Sequence, residues 1–160
     1  MPRPTSPPPP GVTIGREDSG SDGPRFVVAR AEAELVARYG WLDDSELGLT
    51  AAMFDPPQGA FWVARRPGDA GPPVGGVGLR TVAQGTGEVR RLWVDPDWRG
   101  RGLGRALMAA LEQAAADLGH MTLQLATGDR QPEAVALYEA TGWERLTADD
   151  VCAIRFVKPL

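Results

Sequence analysis

Cysteine and histidine are nearly missing from this 160-residue chain, which has one of each, Cys152 and His120. A lone cysteine excludes an internal disulfide, and a cysteine nucleophile needs a histidine at its side. His120 follows Gly119 at an expected helix end, so the two read as a strand residue and a turn residue rather than as a catalytic pair. The same scarcity argues against a protein metal site. A basic surplus is lacking too. The formal net charge is −4 and the isoelectric point about 5.0, which argues against nucleic acid as a partner and suits a cationic substrate such as an amine. No apolar run approaches membrane-spanning length and the N-terminus lacks the apolar stretch of a signal peptide, so a cytoplasmic chain without a membrane partner is expected.

What is present suits one domain. An apolar share of 42% and a charged share of 24% are ordinary for a globular protein of this length. Residues 1–24 hold the run Pro7 to Pro10, several Gly and Ser and few apolar residues, and are expected to form a disordered tail. The folded domain, residues 25–160, is expected to open with a strand at Phe26-Val27-Val28-Ala29. A helix should follow from Ala31 to Tyr39, stopped by Gly40. The acidic cluster Asp43, Asp44 and Glu46 reads either as a solvated turn with a helix cap or as an attraction for a cationic substrate.

Three strands come next, at Ala60 to Arg66, Val74 to Thr81 and Val89 to Val94. Pro67 to Pro73 and Gln84 to Gly87 supply hairpin turns between them. Leu92, Trp93 and Val94 are apolar in succession, which places this third strand centrally, covered on both faces. A helix from Leu103 to Leu118 shows apolar residues at three- and four-residue spacing and ends at Gly119. Met121 to Ala126 then forms a strand parallel to the previous one. Pro132 opens a short helix through Ala140, and Trp143 to Leu146 and Val151 to Lys158 are final strands.

The stretch Leu92-Trp93-Val94-Asp95-Pro96-Asp97-Trp98-Arg99-Gly100-Arg101-Gly102-Leu103-Gly104-Arg105 carries the chemistry. An apolar strand end runs into a loop with three glycines and three arginines, and a helix starts from its last glycines. Glycines let backbone N–H groups approach a ligand, the helix N-terminus adds positive dipole, and guanidiniums complete a cradle for phosphates. No Lys-Ser or Lys-Thr follows, which excludes a P-loop, and the glycine spacing is not that of a dinucleotide-binding loop.

The pattern Arg-x-x-Gly-x-Gly at Arg99, Gly102 and Gly104 resembles the acetyl-CoA loop of the GNAT family of N-acetyltransferases. A second match lies at Gln131-Pro132-Glu133-Ala134-Val135-Ala136-Leu137-Tyr138, closed by Gly142-Trp143, and the order of elements is similar to that fold across residues 25–160. The resemblance implies an α+β acyl-CoA N-acyltransferase fold. Its mixed sheet of six to seven strands has flanking helices, and two parallel strands splay apart beyond a bulge to admit the pantetheine arm of acetyl-CoA. Leu92, Trp93 and Val94 would line that gap, with the Val94 N–H on the thioester carbonyl. Arg99, Gly100, Arg101, Gly102, Leu103, Gly104 and Arg105 would hold the pyrophosphate, and Gln131 would bond the pantetheine.

The implied function is transfer of an acetyl group from acetyl-CoA, without a metal, to the primary amine of a small molecule. A non-catalytic CoA-binding module and a protein or peptide N-acetyltransferase are the other readings. Tyr138 matches the family's general acid, and a core tyrosine is its structural alternative. Glu88, six residues before Val94 and on its face if no bulge intervenes, is the candidate base, with a surface ion pair and water-mediated deprotonation as alternatives. The resemblance also allows a homodimer. Only about four residues bridge Leu146 and Val151, fewer than similar chains carry, so acceptor specificity is not implied by the resemblance.

Overall fold

Apolar residues on alternate positions and on successive ones give this chain a sheet buried on both faces. A computed structural model describes residues 6–42, 44–66, 68, 71–146 and 153–160. Among these residues seven strands form one mixed sheet in the order β1-β2-β3-β4-β5-β7-β6. They are β1 (Thr13–Arg16), β2 (Gly59–Arg65), β3 (Gly75–Ala83), β4 (Thr86–Val94), β5 (Thr122–Gly128), β6 (Glu144–Leu146) and β7 (Ala153–Pro159). The helices are α1 (Asp22–Tyr39), α2 (Asp44–Leu47), α3 (Leu103–Asp117) and α4 (Pro132–Ala140), with 3₁₀ turns at Ala51–Phe54 and Pro96–Trp98. The α+β acyltransferase-type sheet expected from the sequence is present, with β4 at its centre.

β2 shows how the two faces are filled. Its Ala60, Trp62 and Ala64 join a core with Leu103, Leu107, Met108 and Leu111 of α3, while Phe61 and Val63 pack with Val27 and Ala31 of α1 and with Phe54. Alternation of this kind with no polar position is what a strand covered on both sides requires. At roughly 25 cal/mol per Å², these fully buried side chains are the main favourable term for the fold. Behind α3, the Lys158 ammonium donates to both Glu112 carboxylate oxygens, at 3.2 and 3.1 Å, and to the Thr141 carbonyl at 2.6 Å. That tie fixes β7 to the side of α3 and to the C-terminal end of α4.

Two expectations are corrected. Residues 13–16 are not tail: β1 pairs antiparallel with β2 from Thr13↔Arg65 to Arg16↔Trp62. The segment has few apolar residues of its own to bury. It is held by backbone pairing, by Arg16 stacked over the Trp62 ring at 5.6 Å, and by a two-point pair between Glu17 and Arg65. The hydrogen bonds that Arg65 donates to Glu17 hold its guanidinium above its ordinary range. Phe26 to Ala29, expected as a strand, lies inside α1, which starts at Asp22 with Pro24 in its first turn. Val27 and Ala31, four residues apart, are its buried stripe. Cys152, Asp43 and the Thr147 to Asp150 bridge lie outside the described residues.

Candidate active site

The site begins as an irregularity in β4. Across β3, Gly76 faces Trp93 but Gly78 faces Arg90, so Arg91 and Leu92 together oppose the single residue Val77. This is a β-bulge, and Arg91 takes φ 62°, a left-handed conformation that a non-glycine residue holds only when its surroundings enforce it. The enforcement is ionic. The Arg91 guanidinium, 5% exposed, meets Glu46 at 2.8 Å and Glu32 at 3.0 Å. Already ahead of the bulge β4 leaves its other neighbour: its parallel pairing with β5 covers only Thr86↔Thr122, Gly87↔Leu123 and Glu88↔Gln124. The two strands then diverge.

The gap between them leads to the glycine loop. Gly102 caps α3 with φ 84°, a conformation open to glycine at little cost, and no side chain caps the helix. The first N–H groups of a helix have no partner within it and attract anions. A cavity of about 250 Å³ lies against them, bordered by Gly100, Gly102, Gly104 and Arg105 at one end and by Leu92, Val94 and Leu137 at the other. Leu103 is buried in the core beneath, and Arg101 stacks over Trp98 at 4.7 Å. Trp93 borders the cavity, but its ring packs edge-on to Phe26 with centroids 6.0 Å apart, on the α1 face.

A smaller cavity of about 100 Å³ continues along the gap and has Tyr138 in its wall beside Leu92, Leu125 and Gln131. Tyr138 is 5% exposed, its ring between Trp143 at 5.8 Å and Phe156 at 5.4 Å. Burial pushes its phenol above the ordinary tyrosine range. Gln131, at the N-terminus of α4, borders both cavities and a third of about 290 Å³ on the far side. The anion cradle, Tyr138 and the far chamber therefore follow one another in space.

Glu88 is not brought to these cavities. Its carboxylate lies 3.0 Å from Arg80 and 3.5 Å from Arg90, and it borders none of the three. The parity argument for it fails at the bulge. Val89, Leu92 and Val94 all pack on the α3 core, whereas Trp93 packs on the α1 side, so the extra residue has reversed the alternation between Glu88 and Val94.

Three carboxylates among the described residues do border the cavities, Glu34, Glu46 and Glu133, and sequence reasoning singled out none of them as a site residue. Glu46 of α2 belonged to an ambiguous acidic cluster, and Glu34 of α1 had no motif around it. Glu34 meets the motif guanidinium of Arg99 at 2.6 Å, while Arg99 also donates to the Val94 carbonyl at 3.0 Å. It meets Arg38 at 3.1 Å, and Arg38 in turn pairs with Glu133. Burial opposes ionisation of Glu133, but the hydrogen bond and charge of Arg38 bring it below the usual carboxylate range. Phosphates entering this cavity would compete with Glu34 for Arg99. Glu34→Gln is therefore expected to tighten CoA binding about three- to tenfold at low salt, with the gain shrinking as salt is added, measured by titration calorimetry.

Two parallel strands diverging over an uncapped helix N-terminus, with a buried tyrosine in the gap, define an acyl-CoA-binding N-acyltransferase architecture. Residues 24–143 match the model of the Acetyltransferase (GNAT) family, and the chain belongs to that family of acetyl-CoA-dependent N-acetyltransferases. It is 35% identical over 140 residues to an IAA acetyltransferase of Azospirillum brasilense, a match covering 84% of this chain and 85% of that one. A Klebsiella pneumoniae structure proposed as an acyl-CoA N-acyltransferase superposes with a TM-score of 0.76 at 30% identity, over 93% of this chain and 97% of the other. The PaiA N-acetyltransferase of Thermoplasma acidophilum, solved in complex with coenzyme A, shares the fold with a TM-score of 0.71 at 15% identity, over 92% and 99% of the two chains.

Proposed function

We propose that this chain transfers the acetyl group of acetyl-CoA to the primary amine of a small molecule by direct attack on the thioester. The observation that carries the reading is the parting of β4 and β5 after Glu88 and Gln124, which joins the anion cradle at α3 to the cavity of Tyr138. The residues suit the cosubstrate. The N–H groups of the Gly100 to Gly104 loop and Arg99 take the pyrophosphate, Leu92, Val94 and Leu137 wall the pantetheine arm, and Gln131 bonds its amides. The β4 backbone ending at Val94 holds the thioester carbonyl as an oxyanion donor.

In the reaction the amine nitrogen forms a bond to the carbonyl carbon while the carbon–sulfur bond breaks. The electron pair leaves on sulfur. An ammonium substrate loses one proton to solvent before attack; Tyr138 supplies a proton to the departing thiolate, and the second proton, released from nitrogen as the amide forms, restores the phenol through water. Since Glu88 is engaged by Arg80 and Arg90 away from the cavity, the first proton leaves through water.

Mixing the chain with acetyl-CoA and a panel of amines tests this. Amine-dependent thiol release is expected, and tight CoA binding without release would overturn it. The pH profile of kcat/KM follows from the same groups. The free amine fraction grows toward an amine pKa near ~10, so activity rises with pH. Tyr138 is held protonated above the ordinary phenol range, so no descending limb is expected below about pH 10. A fall in activity between pH 8 and 10 with the fold intact would contradict that.

A further inference from the structure

The far chamber, about 290 Å³, shares Leu35, Glu46, Arg90, Ala126, Thr127 and Gln131 with the cavity of Tyr138. Its remaining walls include Tyr39, Trp41 and Leu42. Trp41 is 66% exposed, a large apolar ring standing at the rim of a small-ligand-sized chamber. At the boundary between the two cavities stands an ion pair, Glu46 to Arg90 at 2.9 Å. This pair is the middle of a ladder, Arg80, Glu88, Arg90, Glu46, Arg91 and Glu32, with successive separations of 3.0, 3.5, 2.9, 2.8 and 3.0 Å.

Among the described residues the ladder alternates three guanidiniums with three carboxylates. A ligand with a lone ammonium group would add uncompensated positive charge beside Arg90 and Arg91 in a partly dry cavity. A ligand with a lone carboxylate would add the opposite excess beside Glu46. A zwitterion adds none: its ammonium can rest on Glu46 and its carboxylate on Arg90, one exchange of partners at constant charge. The two protein groups are adjacent, as are the ammonium and carboxylate of an α-amino acid. With its amine turned to the cavity of Tyr138, its side chain would lie among Leu35, Tyr39, Trp41 and Leu42.

We infer that the acceptor is a free α-amino acid with an aromatic or branched apolar side chain, held by the Glu46–Arg90 pair. The inference rests on the acetyltransferase reading above and names the substrate class of that same site. Amine nitrogen, thioester carbon and leaving sulfur take the roles already given. Glu46 and Arg90 bind the head group, and Trp41 selects the side chain.

The test compares L-phenylalanine and L-leucine with phenethylamine, L-alanine and spermidine at saturating acetyl-CoA. The first two are expected to exceed each of the others at least tenfold in kcat/KM. Arg90→Gln should raise KM for L-phenylalanine about tenfold and lower it for phenethylamine, whose lone ammonium gains from the lost positive charge. Trp41→Ala, at an exposed position that the fold tolerates, should raise KM for L-phenylalanine but not for L-alanine. CoA affinity by calorimetry should stay unchanged in both variants, which separates a lost head-group contact from a lost fold.

Equal or better turnover of phenethylamine or spermidine would overturn the inference while upholding acetyl transfer. If no amine releases thiol, calorimetry with L-phenylalanine on the CoA-bound chain decides. Binding there, weakened by Trp41→Ala, supports the site and defeats the catalytic reading, and absence of binding defeats the site.

Discussion

Tyr138→Phe lowers kcat by roughly ten- to a thousandfold, with little change in CoA affinity, as expected when a general acid is lost. Tyr138 lies between Trp143 and Phe156 in the core beneath the gap, so a phenyl ring fills the same space and the packing stays. Only the hydroxyl goes. The cavity it borders shares Leu92, Gln131 and Ala134 with the cavity at the α3 cradle, so on the proposed reading the lost proton donor stands near the sulfur of bound acetyl-CoA. Burial holds the phenol protonated, so the effect persists across the neutral and mildly alkaline range rather than appearing at one pH. Measured rates for Tyr138→Phe equal to wild type with every accepted amine would return Tyr138 to a purely structural role.

Gly59→Ala is expected to destabilise the fold by about 3 kcal/mol, lowering Tm by roughly 6–12 °C. A Cβ at Gly59 would lie 2.1 Å from the Leu79 carbonyl oxygen and 2.5 Å from that of Met53. Both are backbone atoms, one in β3 and one in the 3₁₀ turn, and neither can swing aside as a side-chain end would. Gly15 in β1 is the control, since a Cβ there meets nothing within 4 Å and its φ is not positive. Gly15→Ala should leave Tm within a degree or two, and a comparable loss in both variants would contradict the packing account.

The parts of this molecule that were legible in the sequence are those specified by local chemistry. α3 begins at Leu103 and ends at Asp117, close to the reading from its apolar spacing and from Gly119. Pro132 opens α4, and the turn-rich segments sit between β2, β3 and β4 as expected. The glycine loop was legible in its local geometry, with Gly102 at φ 84° at the start of α3, because backbone freedom is a property of a short stretch.

What escaped was set by partners distant in sequence. β1 exists because β2 offers an edge to pair with, a fact absent from Thr13–Arg16 itself. Phe26 to Ala29 is as apolar as a strand, and α1 wins because Val27 and Ala31 find the sheet at helical spacing. The bulge could be expected from the resemblance, but its place at Arg91 depends on Glu32 and Glu46, more than forty residues away in sequence. That single residue moved Glu88 off the face of Val94 and brought Glu46 to the cavity.

The central claim is that the gap between β4 and β5 is a path along which an acetyl group passes from CoA to an amine. Thiol release from acetyl-CoA, followed together with the mass of the amine product, tests it most directly. The account predicts release that depends on the amine, matched one to one by acetylated amine and reduced at least tenfold in Tyr138→Phe. Saturable CoA binding with no amine-dependent release, or release with no acetylated product, would contradict it.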